Sequence, residues 1–164
     1  MKVEPDDPEY NLEEHIAYKR RQEGINTQLK RLIQEGLADF RLIMDGTAFA
    51  YTKLTLPNKG IVSVTEIIAE YPHLRQVDLC NNVISDISHI QKLRFVTHLN
   101  LSRNCIADGR FLSNPSLFPY VKNLNLSNNK IKALPSVQLV RLINLNLNHN
   151  EICSLEDFIG HPTL

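Results

Sequence analysis

VTHLNLSRNCI (residues 96–106) and VKNLNLSNNKI (residues 121–131) are two copies of one motif, and this motif decides the fold. LRQVDLCNNVI (74–84) and LINLNLNHNEI (142–152) align with them without gaps. All four copies carry apolar residues at positions 1, 4, 6 and 11 and asparagine at position 9. A weaker copy, YTKLTLPNKGI (51–61), has Lys59 at position 9. The five copies begin 23, 22, 25 and 21 residues apart, and this period indicates a repeat architecture.

The residues around positions 4 and 6 predict one β-strand in each copy. Leu99 and Leu101 alternate with polar residues, which is the period of a strand that is buried on one face. Stacked copies would align these strands in a parallel sheet, with the chain returning on the opposite side. The pattern resembles the leucine-rich repeat. We therefore predict an α/β solenoid with a concave parallel sheet, helical or irregular convex returns and an N-terminal helical cap.

The asparagine at position 9 is interpreted as structural. Its amide has donors and an acceptor, and it can satisfy backbone groups where the chain turns inward after the strand. Leaving such buried groups without partners costs about 1–3 kcal/mol each. The predicted structural ladder comprises Asn82, Asn104, Asn129 and Asn150.

The segments outside the four strong copies divide the chain into three predicted parts. Residues 25–45 form a helical cap, because apolar residues recur at helical spacing: Leu29, Leu32, Ile33, Leu37 and Phe40. Asn26 or Thr27 is the predicted N-cap, and Gly36 a break or C-cap. Residues 1–24 are a charged tail or solvated helix, or alternatively a docking arm that orders on a partner. Residues 46–164 hold the five copies and, since Leu164 is where a sixth would begin, an uncapped end is expected.

The return segments should be apolar on their inner side. Steps of three or four residues, as from Ile87 to Ile90 to Leu93, predict short helical turns on the convex face. The return at 107–120 is longer and contains Asp108-Gly109, Pro115 and Pro119, so an irregular loop is expected there, as a candidate contact.

Residues that alternate with the buried strand positions should face the concave side and contact a partner. They are Gln76, Asp78, His98, Asn100, Ser102, Asn123, Asn125, Ser127, Asn144, Asn146 and Asn148. Such amides and hydroxyls donate and accept hydrogen bonds, which suits a helix or loop of another protein. The alternative is that short polar residues simply solvate the sheet. Arg103, His149, Lys130 and Glu151 lie at the predicted rim.

Composition and motifs argue against several other functions. The chain has 164 residues, with 18 Lys and Arg against 18 Asp and Glu. Its formal net charge is therefore zero and does not favour binding to nucleic acid or to a membrane. The beginning of the sequence has no secretory-signal or transit-peptide pattern. The sequence contains no metalloprotease, hydrolase or phosphate-loop motif, and its histidines lack metal-ligand spacing. Cys80, Cys105 and Cys153 form no CxxC pair and should be free thiols. No enzyme activity, cofactor, metal or small-molecule substrate is therefore predicted.

The copies resemble the short, 22-residue leucine-rich class, which a phosphatase regulatory subunit, a spliceosomal protein and several axonemal proteins share. EGLADFRLIMDGTAFAYTKLTL (35–56) and YPHLRQVDLCNN (71–82) are similar to the entry into the repeats of the radial-spoke leucine-rich-repeat proteins of motile cilia. This resemblance implies a cytoplasmic scaffold of the cytoskeleton, in the radial spoke of a ciliary or flagellar axoneme, with protein partners. The alternatives are a phosphatase-regulatory adaptor and a ribonucleoprotein component that binds through the concave face.

Overall fold

The computed structural model describes residues 12–43 and 46–155. One long helix, α1 (Leu12–Gly36), precedes six strands: β1 (Leu37–Leu42), β2 (Phe49–Thr55), β3 (Gln76–Asp78), β4 (His98–Asn100), β5 (Asn123–Asn125) and β6 (Asn144–Asn146). Three short 3₁₀ helices lie between the strands, at Glu66–Glu70, Ile90–Lys92 and Arg110–Ser113.

The strands form a single sheet in chain order, as repeat stacking requires. β1 pairs with β2 in antiparallel orientation, and every later pair is parallel. The register keeps equivalent positions together, so Val77 pairs with Leu99, Leu99 with Leu124 and Leu124 with Leu145. The predicted strand in each copy and the parallel sheet are confirmed.

A continuous apolar core lies behind the sheet. The side chains at positions 4 and 6 of the inner copies are 0–2% exposed, as Leu99, Leu101, Leu124 and Leu126 show. The alternation in sequence therefore becomes an alternation between the core and the concave surface. The last strand differs, because Leu145 and Leu147 are only partly buried against this core.

The position 9 asparagines form the predicted ladder, and each one joins two copies. The Oδ1 of Asn104 accepts a 3.0 Å hydrogen bond from the backbone N–H of Ile84 in the preceding copy. Its Nδ2 donates to the carbonyls of Leu79 and Leu101, both at 3.0 Å. Asn82, Asn129 and Asn150 repeat this arrangement. The ladder is therefore a set of tertiary hydrogen bonds between successive copies.

The return segments pack inward, including the long one. Ile68, Ile90 and Leu112 are fully buried within the three 3₁₀ helices. The return at 132–141 buries Leu134 and Leu139 but contains no helix.

The segment 107–120 was expected to be an irregular contact loop, but it includes a 3₁₀ helix and contributes Phe111 and Phe118 to the core. Its exposed feature is an ion pair between Arg110 and Asp108 at 2.8 Å. The hydrogen bonds from Arg110 lower the pKa of the Asp108 carboxyl.

The N-terminal unit differs from the predicted helical cap. Asn26 and Thr27 lie inside α1, so the predicted N-cap is wrong, and Thr27 instead returns its hydroxyl to the carbonyl of Glu23 at 2.8 Å. The helix continues upstream because the preceding stretch is rich in Glu, Lys, Arg and Gln, which favour helix.

The prediction of a helix for the second half of the cap is also wrong. α1 ends at Gly36 as expected, but Leu37 and Phe40 belong to β1, whose backbone pairs with β2. The cap is thus a helix and a β-hairpin, with Leu29 and Ile33 buried. Residues 1–11 of the predicted tail lie outside the described residues, as do 156–164 at the other end, and the structure says nothing of a docking arm.

Gly36 is required because β2 passes close to the end of α1. A Cβ at this position would lie 2.6 Å from the Leu56 side chain and 2.7 Å from the Thr55 carbonyl. We expect Gly36→Ala to lower the free energy of unfolding by about 1–3 kcal/mol, because the neighbouring backbone must move. Gly24 is the matched control in the same helix, since nothing lies within 4 Å of its Cβ position. Gly24→Ala should stabilise by about 0.5–1 kcal/mol. Urea unfolding measures both, and a stabilising Gly36→Ala would contradict this packing.

Candidate functional site

The concave face of the sheet forms an open groove of about 770 Å³. Positions 3 and 5 of each copy supply its polar lining: Lys53, Thr55, Gln76, Asp78, His98, Asn100, Asn123, Asn125, Asn144 and Asn146. Eight of the eleven residues predicted to contact a partner are in this set. The parallel register brings them together, since it aligns position 3 with position 3 and position 5 with position 5. Ile143 also lines the groove and is 53% exposed, and the sequence pattern did not single it out.

The position 5 side chains share one local geometry. Their Oδ1 atoms accept a hydrogen bond from the backbone N–H two residues later, at 3.0 Å in Asp78, 3.2 Å in Asn100, 3.1 Å in Asn125 and 3.0 Å in Asn146. The atom that faces a backbone N–H must be an acceptor, so the amide oxygen of each asparagine points along its own chain. The Nδ2 group is therefore the end that remains for the groove.

The position 3 side chains are more varied. Asn144 donates from Nδ2 to Oδ1 of Asn123 at 2.6 Å. Thr97 donates its single hydroxyl proton to the Arg75 carbonyl, so at 2.9 Å the hydroxyl oxygen accepts from Nδ1 of His98. The neutral His98 ring then carries its free acceptor on Nε2. The groove is thus built from oriented amide and imidazole groups.

Three of the predicted contact residues do not line the groove. Ser102 is 9% exposed and Ser127 is 7% exposed, so both are buried and neither lines the groove in which the sequence placed them. At position 7 the chain is already turning inward, and the Ser102 hydroxyl donates to Oδ1 of Asn100 at 2.8 Å. Asn148, at the same position in the last copy, is exposed but does not line the groove.

Cys80 is the position 7 residue of its copy and its thiol is weakly acidic. Burial raises the pKa of this thiol, and its hydrogen bond to Asp78 raises the pKa further. Cys80, Cys105 and Cys153 are all free cysteines. Among residues 12–43 and 46–155, no group of three His, Cys, Asp or Glu side chains is placed to hold a metal ion. Nor does any helix in this part of the chain have the length and apolar character needed to cross a bilayer.

The rim of the groove contains a left-handed residue in every copy. Position 8 has φ between 53° and 58° at Asn58, Asn81, Arg103, Asn128 and His149. Asparagine and histidine tolerate this conformation better than most residues, whereas arginine occupies it at a higher conformational cost. Arg103 and His149 are both exposed, as predicted for rim residues.

An aromatic stack lies at the N-terminal ends of the strands, away from the rim, and the sequence analysis did not predict it. It uses the residue just before position 1 of each strong copy. The ring centroids of His73 and Phe95 are 6.0 Å apart, those of Phe95 and Tyr120 are 5.9 Å apart, and Arg141 lies 4.7 Å from the Tyr120 centroid. The recurrence of large planar side chains at this position was the available signal.

A second aromatic cluster lies on the β1–β2 hairpin. Phe40 stacks on Phe49 with centroids 5.6 Å apart and contacts Tyr51 at 4.9 Å. These rings are 40–60% exposed and lie on the same side of the hairpin as Lys53. Sequence reasoning placed Phe40 in a helix and therefore could not bring the three rings together.

Comparison with known proteins gives relatives by sequence. The chain is 30% identical over 123 residues to leucine-rich repeat-containing protein 23 from Homo sapiens, and this match covers 74% of the chain. It is 32% identical over 94 residues to the human leucine-rich repeat and guanylate kinase domain-containing protein, covering 57% of the chain and 10% of that protein. The chain spans about a third of the length of the first of these relatives, 34%. No protein-family model matches the sequence.

Solved structures agree on the fold. An internalin from Listeria monocytogenes superimposes with a TM-score of 0.55 at 24% identity, covering 73% of this chain and 35% of that one. A chain of the Drosophila melanogaster SNF/U2A′ complex superimposes with a TM-score of 0.51 at 18% identity, covering 75% and 69%. The chain therefore has the leucine-rich-repeat fold, as the sequence predicted.

Proposed function

We propose that this chain, with its leucine-rich-repeat fold, is a non-catalytic scaffold that binds another protein in its concave groove. The observation that carries this proposal is the polar lining of the groove at positions 3 and 5. Oriented amides on a rigid sheet suit a helix or loop of a protein partner, because they hold hydrogen-bonding groups in fixed positions.

The proposal extends to the place where the scaffold works. We infer an axonemal scaffold of the radial spoke, in the cytoplasm of a motile cilium or flagellum. The support is the resemblance of residues 35–56 and 71–82 to the radial-spoke leucine-rich-repeat proteins. The relative found by sequence comparison is named only for its repeats and adds no partner.

The decisive experiment separates the location from the binding face. Tagged full-length chain is expressed in ciliated cells, and axonemes are isolated and washed with salt. A double variant, Gln76→Tyr with Asn144→Tyr, fills the groove at two exposed position 3 residues. Gln138→Tyr is the matched control, because Gln138 is exposed on a return segment. We expect the wild type and the control to remain with the axonemes and the double variant to appear in the soluble fraction.

Other outcomes would contradict part of the proposal or favour one of the alternative functions. Wild-type chain that is entirely soluble would contradict the axonemal location. Retention of the double variant in the axoneme would contradict binding through the groove. Recovery in the nucleus would favour the ribonucleoprotein alternative, and groove-dependent association with a phosphatase catalytic subunit would favour the adaptor.

A further inference from the structure

The groove presents hydrogen-bond donors in a row, and this row carries an inference about the partner. The Oδ1 atoms of Asn100, Asn125 and Asn146 are occupied by backbone N–H groups of their own copies. Within the described part of the chain, their Nδ2 groups donate to no acceptor. The three residues are register partners on adjacent strands, so successive amides are about 4.8 Å apart across the sheet.

Asn123 adds a donor beside this row. Nδ2 of Asn144 donates to Oδ1 of Asn123, so this pair leaves one donor, the Nδ2 of Asn123, and one acceptor, the Oδ1 of Asn144, for the groove. Over β4, β5 and β6 the floor therefore offers four Nδ2 donors, from Asn100, Asn123, Asn125 and Asn146, against two acceptors, Nε2 of His98 and Oδ1 of Asn144.

Charge beside the groove is mixed. The predicted rim carries the exposed cations Arg103 and Lys130 and the exposed carboxylate Glu151, and the lining contains Lys53 and Asp78. Asp78 lies on β3, at the end of the groove away from β5 and β6, and Cys80 already occupies part of its acceptor capacity. A negatively charged group over β4 and β5 thus meets N–H donors on the floor and the exposed guanidinium of Arg103 at the rim.

We propose that the groove binds an acidic segment of a protein partner, with Asp or Glu carboxylates held by the Nδ2 groups of Asn100, Asn125 and Asn146. Hydrogen bonds to a charged acceptor are about twice as strong as neutral ones, which favours a carboxylate over a backbone carbonyl in this row. The inference rests on the proposed protein-binding function and specifies the chemistry of the segment.

The chain itself supplies a nearly isosteric test. Asn125→Asp and Asn146→Asp retain an oxygen to accept the backbone N–H, and Asp78 shows that Asp closes this turn in the native fold. Only the outward donor is lost, and it is replaced by a negatively charged oxygen. Gln138→Glu is the control, since it adds one negative charge at an exposed position on a return segment. The thermal midpoint of each variant is measured to verify folding.

The probes are three fluorescent peptides of equal length and helicity that carry Glu, Gln or Lys at the same positions. Binding to the full chain is measured by fluorescence anisotropy. The Glu peptide should bind about tenfold or more tightly than the Gln peptide, and its affinity should fall as salt is raised. Asn125→Asp and Asn146→Asp should each weaken binding of the Glu peptide by about tenfold, while Gln138→Glu should have little effect on it. Asp78→Asn should strengthen binding of the Glu peptide.

Equal binding of the Glu and Gln peptides, or full affinity in folded Asn125→Asp, would overturn this inference. Such a result would not contradict the proposal that the groove is a binding surface. Displacement of the Gln76→Tyr/Asn144→Tyr variant from axonemes would then still support the proposed function, so the two failures are distinguishable.

Discussion

Asn104→Ala should lower the free energy of unfolding by about 1–3 kcal/mol, a large effect for a polar residue, because one buried backbone group loses its partner. The side chain is 6% exposed and joins two copies. Its removal leaves the buried N–H of Ile84 without the acceptor that lies 3.0 Å away. The Leu79 and Leu101 carbonyls each lose one bond but keep another, from Asn82 and Asn129. The unpaired N–H therefore accounts for much of the loss.

The control for this prediction is the same substitution in the last copy. Asn150 makes equivalent bonds to Ile131, Leu126 and Leu147, but it is only partly buried, so water can replace some of them. Asn150→Ala should therefore cost less than Asn104→Ala in urea unfolding at equal protein concentration. If the two variants lose the same stability, burial does not govern the strength of the ladder.

Leu126→Ala should lower the free energy of unfolding by about 2–5 kcal/mol. Leu126 occupies position 6 of its copy and is 0% exposed. The substitution removes buried methyl groups and leaves a cavity between copies that the short strands on either side cannot close fully. Because the core is continuous along the solenoid, we expect lost stability without a change in the pairing of the strands.

Leu147 provides the comparison, since it stands at position 6 of the next copy and is only partly buried. Leu147→Ala removes the same atoms from a site that already contacts water, so its cost should be smaller. Chemical unfolding followed by circular dichroism measures both variants. An equal or greater loss at Leu147 would show that the core does not weaken toward β6.

The regular part of the fold was predictable because its interactions repeat with the sequence. Leu99 and Leu124 occupy the same position in copies about one repeat apart, and stacking places identical environments around each. The asparagine ladder was predictable for the same reason, because one side chain per copy meets the same backbone groups each time. The concave placement of Asn100 and Asn125 follows from the period of two along each strand.

The hairpin at the N-terminal end could not be predicted in this way. Leu37 and Phe40 have helical spacing in sequence, and only pairing with β2 makes that segment a strand. The burial of Ser102 and Ser127 likewise depends on how sharply the chain turns inward after the strand. The direction in which the groove amides point depends on backbone N–H groups two residues away.

By itself, the sequence determined the repeat, the parallel order of β2 to β6 and the residues that share a buried column, since each depends on a local pattern that is copied along the chain. The tertiary structure alone decided the antiparallel β1, the aromatic contacts of Phe40 and the donor character of the groove. These features depend on contacts between segments that do not repeat one another, and on the hydrogen-bonding direction of single side chains.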